Sequence, residues 1–429
     1  MMVDRKIAPP VRPFDRLVMP AEIVEHLPNG ITLHYYDGGS QDVTMMYYMM
    51  PMGVADASHP ALPTLMTRLM RLGSAGYSGE ALADGYDYNC FAVNNVVDAH
   101  YCGFSVAAIN GYLDAALPLF ADMVQNPVLD EAAFEGMRRR YAVEVAQNRS
   151  RVATIASDEL TALLAGRLHP LARYVTAENV AEADISAVRD FYREASSRRG
   201  VHVFIGGRLG DGVIERYRDM LMSMPAATQA APAATPVFEA EPPQRVVLHG
   251  SDYVQAAVAM GLPAVGRSHA DYNNLRLAVV ALGGYFGSRL MSNIREEKGL
   301  TYGITASLSG MPEGAYIQIG AQCSNENVDV VIDEVKHEMR RLAQEPPRGE
   351  ELERVKRNVS ASLASTLDTP FTIIGYHRTH LLVGTPDDYF EAQLRAINAL
   401  TPDVISEMAQ RYMPGDDARI VVAGNVRSA

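Results

Sequence analysis

The chain has 429 residues, 48% hydrophobic and 21% charged, with a formal net charge of −13. That length exceeds what one core usually organises, so two domains of about 200 residues each are expected. No apolar run approaches a bilayer span, which excludes a transmembrane protein, and the lack of any basic block excludes phosphate-backbone binding as the main task.

The opening residues MMVDRKIAPPVRPFDRL carry basic side chains with no apolar stretch behind them, so a cytoplasmic location is expected. From Ile23 to Met50, turn signals at Pro28-Asn29-Gly30 and Asp37-Gly38-Gly39 separate apolar runs, the pattern of antiparallel strands. Leu62 to Leu72 reads as a helix with Leu65, Leu69 and Leu72 on one face, and Asn89 to Val106 returns to strand. Beyond Gly111, Phe134, Met137, Tyr141 and Val145 form the stripe of an amphipathic helix. Leu352, Val355, Val359 and Leu363 repeat its intervals about 218 residues later, where ERVKRNVSASLA lines up with EGMRRRYAVEVA. Ile185–Gly207 and Ile405–Asn425 match in the same way, each a helix followed by a strand ending in Gly. Two matches at nearly one offset predict an α+β fold of two homologous domains, each an antiparallel-rich sheet packed against helices. The Ala-, Pro- and Thr-rich segment 224–243 reads as a solvated extended linker between domains 1–223 and 244–429.

Familiar chemistries find little support. Cys90, Cys102 and Cys323 form no CxxC pair and are odd in number, which speaks against disulfides or a cysteine zinc site; buried free thiols are expected. The run Gly283 to Ser288 lacks the GK[ST] ending of a phosphate cradle. His377 and His380 share a helix face but have no acidic third ligand nearby, and read as structural or surface histidines. Cys90 near His100 shows no further sign of nucleophilic activation.

The stretch from Ala281 to Leu308 changes period at Gly299. Leu290, Met291 and Ile294 fit one face of a helix opened by Ser288 and stopped by Lys298-Gly299. Leu300, Tyr302, Ile304, Ala306 and Leu308 then alternate with polar or small residues as in a half-buried strand. Periodicity alone makes Arg295 a solvated helix residue and Tyr302 a core tyrosine on the apolar face.

GSRLMSNIREEKGLTY, LPNGITLHYY near the start, His169-Pro170-Leu171 and the duplication together resemble the pitrilysin/insulinase family of zinc metallopeptidases, which includes mitochondrial processing peptidase. The resemblance covers nearly the whole chain and implies that Arg295 and Tyr302, seven residues apart, face the zinc site of another half or subunit. Peptidase members carry HxxEH, two His ligands and a general base, on the helix after the second strand. Aligning GVADASHPALPTLMTRLM puts Thr64, Thr67 and Arg68 at those positions, with Glu144, 76 residues after Arg68, near the third ligand. The expectation is a chain that binds no zinc itself, a heterodimer in which an HxxEH subunit supplies zinc and base, and a substrate of small or unfolded peptides. An inert structural or assembly subunit, or a module that binds peptides without cutting them, is the alternative.

Overall fold

The computed structural model describes residues 14–426. Segment 1–13, which carries most of the sequence behind the cytoplasmic expectation, lies outside the described residues. Among the described residues no helix is long and apolar enough to cross a membrane.

The first half supplies strands β1 (Ile23–His26), β2 (Thr32–Asp37), β3 (Val43–Met50), β4 (Phe91–Val97), β5 (Cys102–Ile109) and β6 (His202–Gly207). Its helices are α1 (Leu62–Met70), α2 (Gly79–Tyr88), α3 (Leu113–Gln125), α4 (Glu131–Arg149), α5 (Val152–Ala165), α6 (Ala177–Glu182), α7 (Ile185–Ser197) and α8 (Val213–Met222). The second half supplies β7 (Arg245–His249), β8 (Gln255–Ala264), β9 (Thr301–Met311), β10 (Gly314–Ser324) and β11 (Arg419–Gly424). Its α-helices are α9 (Tyr272–Val279), α10 (Val328–Gln344), α11 (Gly349–Ser365), α12 (Pro370–Val383), α13 (Tyr389–Ala399) and α14 (Pro402–Tyr412).

The sheets run β1-β2-β6-β3-β5-β4 and β7-β11-β8-β10-β9. Apart from the added β1 they follow one path. The last strand of each half pairs in parallel with the first of that path, β6 with β2 and β11 with β7, and every other pairing is antiparallel. The chain thus has the two-fold α+β architecture expected of a duplication. Both helical stripes are buried as their periods require: Phe134, Met137, Tyr141 and Val145 on α4, and Leu352, Val355, Val359 and Leu363 on α11. Leu72 falls beyond the end of α1 and is exposed, so the α1 stripe stops one turn earlier than its spacing suggests.

The halves exchange equivalent helices. Val152 to Pro370 and Ala165 to Val383 are both separated by the 218-residue repeat offset, so α5 and α12 are counterparts. Yet α5 packs on β8 and β11 of the second sheet, and α12 on β6 and β2 of the first. The strands were built for this arrangement. Along β8, Ala256, Val258, Met260 and Leu262 face the second half's own helices, while Ala257 and Ala259 meet Leu160, Leu163 and Leu164 of α5. On the first sheet Met49 and Phe204 meet Ile374 of α12. Close approach needs glycine there: a Cβ on Gly206 would lie 2.5 Å from the Pro370 carbonyl oxygen.

Segment 224–243 forms no helix or strand, and past the buried Met224 its residues are half-buried or exposed. Its backbone bonds along the surface of both halves, through Thr228 N–H to Ser197, Phe238 N–H to Glu313, Glu239 N–H to Ala165 and Glu241 N–H to Leu163. His169 caps the contact through the Pro236 carbonyl at 2.7 Å, with its ring edge-on to Phe238.

Candidate functional site

Helix α1 is set by apolar residues that bury Leu62, Leu65, Met66 and Leu69, which leaves Thr64 and Arg68 on the side facing α4. Arg68 and Glu144 meet there in a two-pronged ion pair, Nη1 to Oε2 at 2.7 Å and Nη2 to Oε1 at 3.0 Å. The guanidinium lies 4.4 Å from the centre of the Tyr141 ring, and its hydrogen bonds hold the Glu144 carboxyl below the usual carboxylate range. Thr67 is fully buried and donates back to the Pro63 carbonyl at 2.9 Å. These residues do not suit zinc. Neither threonine offers an imidazole nitrogen, a guanidinium has no lone pair to give, and the one carboxylate is already neutralised by Arg68. Among the described residues no three or more His, Cys, Asp or Glu side chains come together as a metal-binding group.

The helical turn after Ser288 winds in wide π-type turns over Met291–Glu297, with Lys298 N–H reaching the Asn293 carbonyl at 3.1 Å. Ser288 accepts the first backbone bond from Ser292, although its own hydroxyl is buried without a partner. Gly299 ends the run at φ +62, the left-handed stop its sequence position predicts. Three polar ties fix the segment: Arg289 to Glu351 at 2.8 Å, Asn293 to the fully buried Glu338 at 2.8 Å, and Lys298 to Glu334 at 2.5 Å. Arg295, alone of the three cations in 289–298, has no carboxylate partner among the described residues. Its guanidinium carbon instead sits 4.7 Å from the centre of the Phe286 ring and 5.7 Å from that of Tyr302.

Tyr302 is where the period-two expectation fails. Ile304 pairs with Ala321 and Thr301 with Cys323, so β9 carries one residue more than β10 between those pairs. This bulge turns Thr301 and Ile304 both inward and swings Tyr302 out, leaving it 93% exposed instead of in the core. Thr301 holds the bulge shut: its hydroxyl donates to the Gln322 carbonyl at 2.6 Å and accepts from Gly303 N–H at 3.1 Å. Phe286, 63% exposed, completes the cluster; an aromatic pair flanked by glycines in GGYFGS is the signal that periodicity passed over.

The remaining candidates fall elsewhere. His377 Nε2 meets the Pro20 carbonyl at 2.8 Å and His380 Nδ1 the Thr385 hydroxyl, so each has a structural partner. Cys102 and Cys323 are buried, whereas Cys90 is exposed, against expectation. It occupies the left-handed turn between α2 and β4, at φ +50, the place Gly299 holds in the other half.

Residues 183–359 match the model described as "Peptidase M16 inactive domain", and residues 62–176 that described as "Insulinase (Peptidase family M16)", together more than half of the chain. The chain is 21% identical over 361 residues to "Uncharacterized zinc protease YmxG" of Bacillus subtilis, covering 83% of this chain and 87% of that protein. It is 20% identical to "Non-peptidase homolog YmxG" of Helicobacter pylori, over 87% and 86%. Among solved structures, a peptidase M16 inactive domain from Pseudomonas fluorescens superposes with a TM-score of 0.84 at 19% identity, over 95% of this chain and 98% of that one. With its duplicated sheets and these matches, the chain belongs to the insulinase, or pitrilysin, family of peptidases.

Proposed function

We propose that this chain is the non-zinc-binding subunit of a heterodimeric metallopeptidase and presents Arg295 and Tyr302 to the zinc site of an HxxEH-bearing homologue. The observation that carries this reading is the bulge at Thr301–Ile304, which puts a tyrosine hydroxyl in solvent beside an arginine that no carboxylate among the described residues engages. A tyrosine hydroxyl is a neutral donor suited to a developing oxyanion, and a guanidinium with free donors suits a peptide carbonyl. Phe286 gives the cluster an apolar margin of the kind that partner surfaces cover. The Arg68–Glu144 pair supports the division of labour, because the metal has to come from the other subunit.

The test is peptide hydrolysis by this chain, by the HxxEH subunit and by the mixture. Activity only in the mixture supports the reading, and activity of this chain alone overturns it. The second reading is an inert assembly subunit. It draws support from the same Arg68–Glu144 pair and predicts a mixture no more active than the HxxEH subunit by itself.

A further inference from the structure

Helix α12 touches the first sheet through one face, where Pro370 and Ile374 crowd Gly206 and Arg378 lies over Tyr47. Its opposite face, with Thr372, Gly375, Tyr376 and Thr379, borders a solvent-open cavity of about 520 Å³ also lined by α9, the end of α11, β9 and α13. Two arginines enter it, Arg267 and Arg276. The Nε and Nη2 of Arg276, the Nε of Arg267 and the Tyr376 hydroxyl are shut off from solvent, and none has a hydrogen-bond partner among the described residues. The ionisable groups acting on Arg276 are Arg267 and three tyrosines, with no carboxylate, and burial pulls its pKa down. Of the acids nearby, Asp387 lies 4.0 Å from His380, and Glu391 accepts from Met19 N–H at 3.5 Å and acts on Tyr376 but not on Arg276.

A buried guanidinium without a counter-charge is costly, and a second beside it adds repulsion. An anion removes both costs. Around the arginines stand the hydroxyls of Ser362, Thr366 and Tyr376, whose protons have no acceptor among the described residues, whereas those of Thr372 and Thr379 go to the Thr369 and Gly375 carbonyls; with the guanidinium N–H groups the free donors outnumber what the two oxygens of a carboxylate need and suit the three terminal oxygens of a phosphate monoester. The buried Tyr272 and Tyr389 rings, centres 6.4 Å apart and each 5.8 Å from the Arg267 guanidinium carbon, hold that cation at the cavity wall. The volume falls within the range of small-molecule sites. We propose that this cavity binds a small phosphorylated molecule, with Arg267 and Arg276 on its phosphate and the α11 and α12 hydroxyls completing the shell. The site is independent of the Arg295–Tyr302 cluster.

The experiment is calorimetry and thermal melting of the full chain with inorganic phosphate, pyrophosphate and adenosine 5′-monophosphate, against potassium chloride at matched ionic strength. At least one phosphate probe is expected to bind and raise the melting temperature beyond the chloride control. Arg276→Gln should weaken that binding by roughly tenfold or more while the unliganded protein melts no lower, since the lone buried charge is gone. Gly375→Leu gives a second route: a Cβ there meets nothing within 4 Å, so the chain folds and the side chain fills the cavity, abolishing binding. No response beyond chloride overturns the proposal, as does an undiminished response in Arg276→Gln or Gly375→Leu. An equal response to acetate would show that the site reads charge alone, and would overturn the phosphate assignment.

Discussion

The Arg295 guanidinium carbon lies 5.7 Å from the centre of the Tyr302 ring, and the two side chains come from opposite sides of the Gly299 stop. Neither is needed for folding, because Tyr302 is exposed and Arg295 has no ion pair among the described residues. Tyr302→Phe and Arg295→Ala should therefore change stability by no more than about 0.5 kcal/mol. In the mixture with an HxxEH subunit, Tyr302→Phe should cut peptide turnover about a hundred- to thousandfold, the usual cost of one oxyanion donor. Arg295→Ala should lower turnover as well, with association unchanged. Undiminished turnover in both variants would make the pair ornamental.

Thr301 determines where Tyr302 points. Thr301→Val keeps the shape but removes the bonds to Gln322 and Gly303, so it should destabilise the chain by about 1–2 kcal/mol. Amide exchange at Gly303 should accelerate with it. A Gly303 amide as protected as in the parent would show that the bulge is held by something else.

The α1–α4 pair allows a metal test in both directions. The parent protein should purify without stoichiometric zinc, and chelator should leave its melting temperature unchanged. The triple variant Thr64→His, Thr67→Glu, Arg68→His should acquire zinc, because the fold already brings position 68 against Glu144. Metal analysis decides; a triple variant that folds and stays metal-free would show that helix α1 is not oriented for a metal.

His202, the first residue of the interior strand β6, is pushed down to about 4 by burial, with His34 at 3.1 Å adding to the effect. In the unfolded chain the ring takes up its proton near the ordinary value of 6.5. Between those values the unfolded form binds more protons, so this contribution to stability is whole above about pH 6.5 and is lost progressively towards pH 4. The ceiling is about 3 kcal/mol. Urea midpoints across that window should fall with pH, and His202→Gln should flatten the slope; an unchanged slope would assign it to other groups.

Gly206 lets α12 sit down on β6. Gly206→Ala drives a Cβ towards the Pro370 carbonyl, which is backbone and cannot swing aside, so a loss of about 1–3 kcal/mol is expected. Gly375→Ala, on the open face of the same helix, should instead be neutral or stabilising. Chemical denaturation of the two variants separates crowding from helix propensity.

What could be read from the sequence was local. The stripes of α4 and α11 and the Gly299 stop depend on neighbours three or four residues away, and the duplication needed only two matched segments. Tyr302 was misplaced because a bulge is a property of the pairing with β10, and nothing in β9 alone reveals an extra residue. The meeting of Arg68 with Glu144 was foreseeable only through family resemblance, since 76 residues separate them. The unpaired state of Arg276 could not be read at all, because composition counts charges without saying which of them meet.

The exchanged helices also put a delay into synthesis. β6 ends at Gly207, but α12, which covers Met49 and Phe204, opens only at Pro370. At typical rates of translation the intervening chain takes roughly 8–30 s to emerge. Through that interval Met49 and Phe204 lack the cover that Ile374 of α12 gives them in the finished fold.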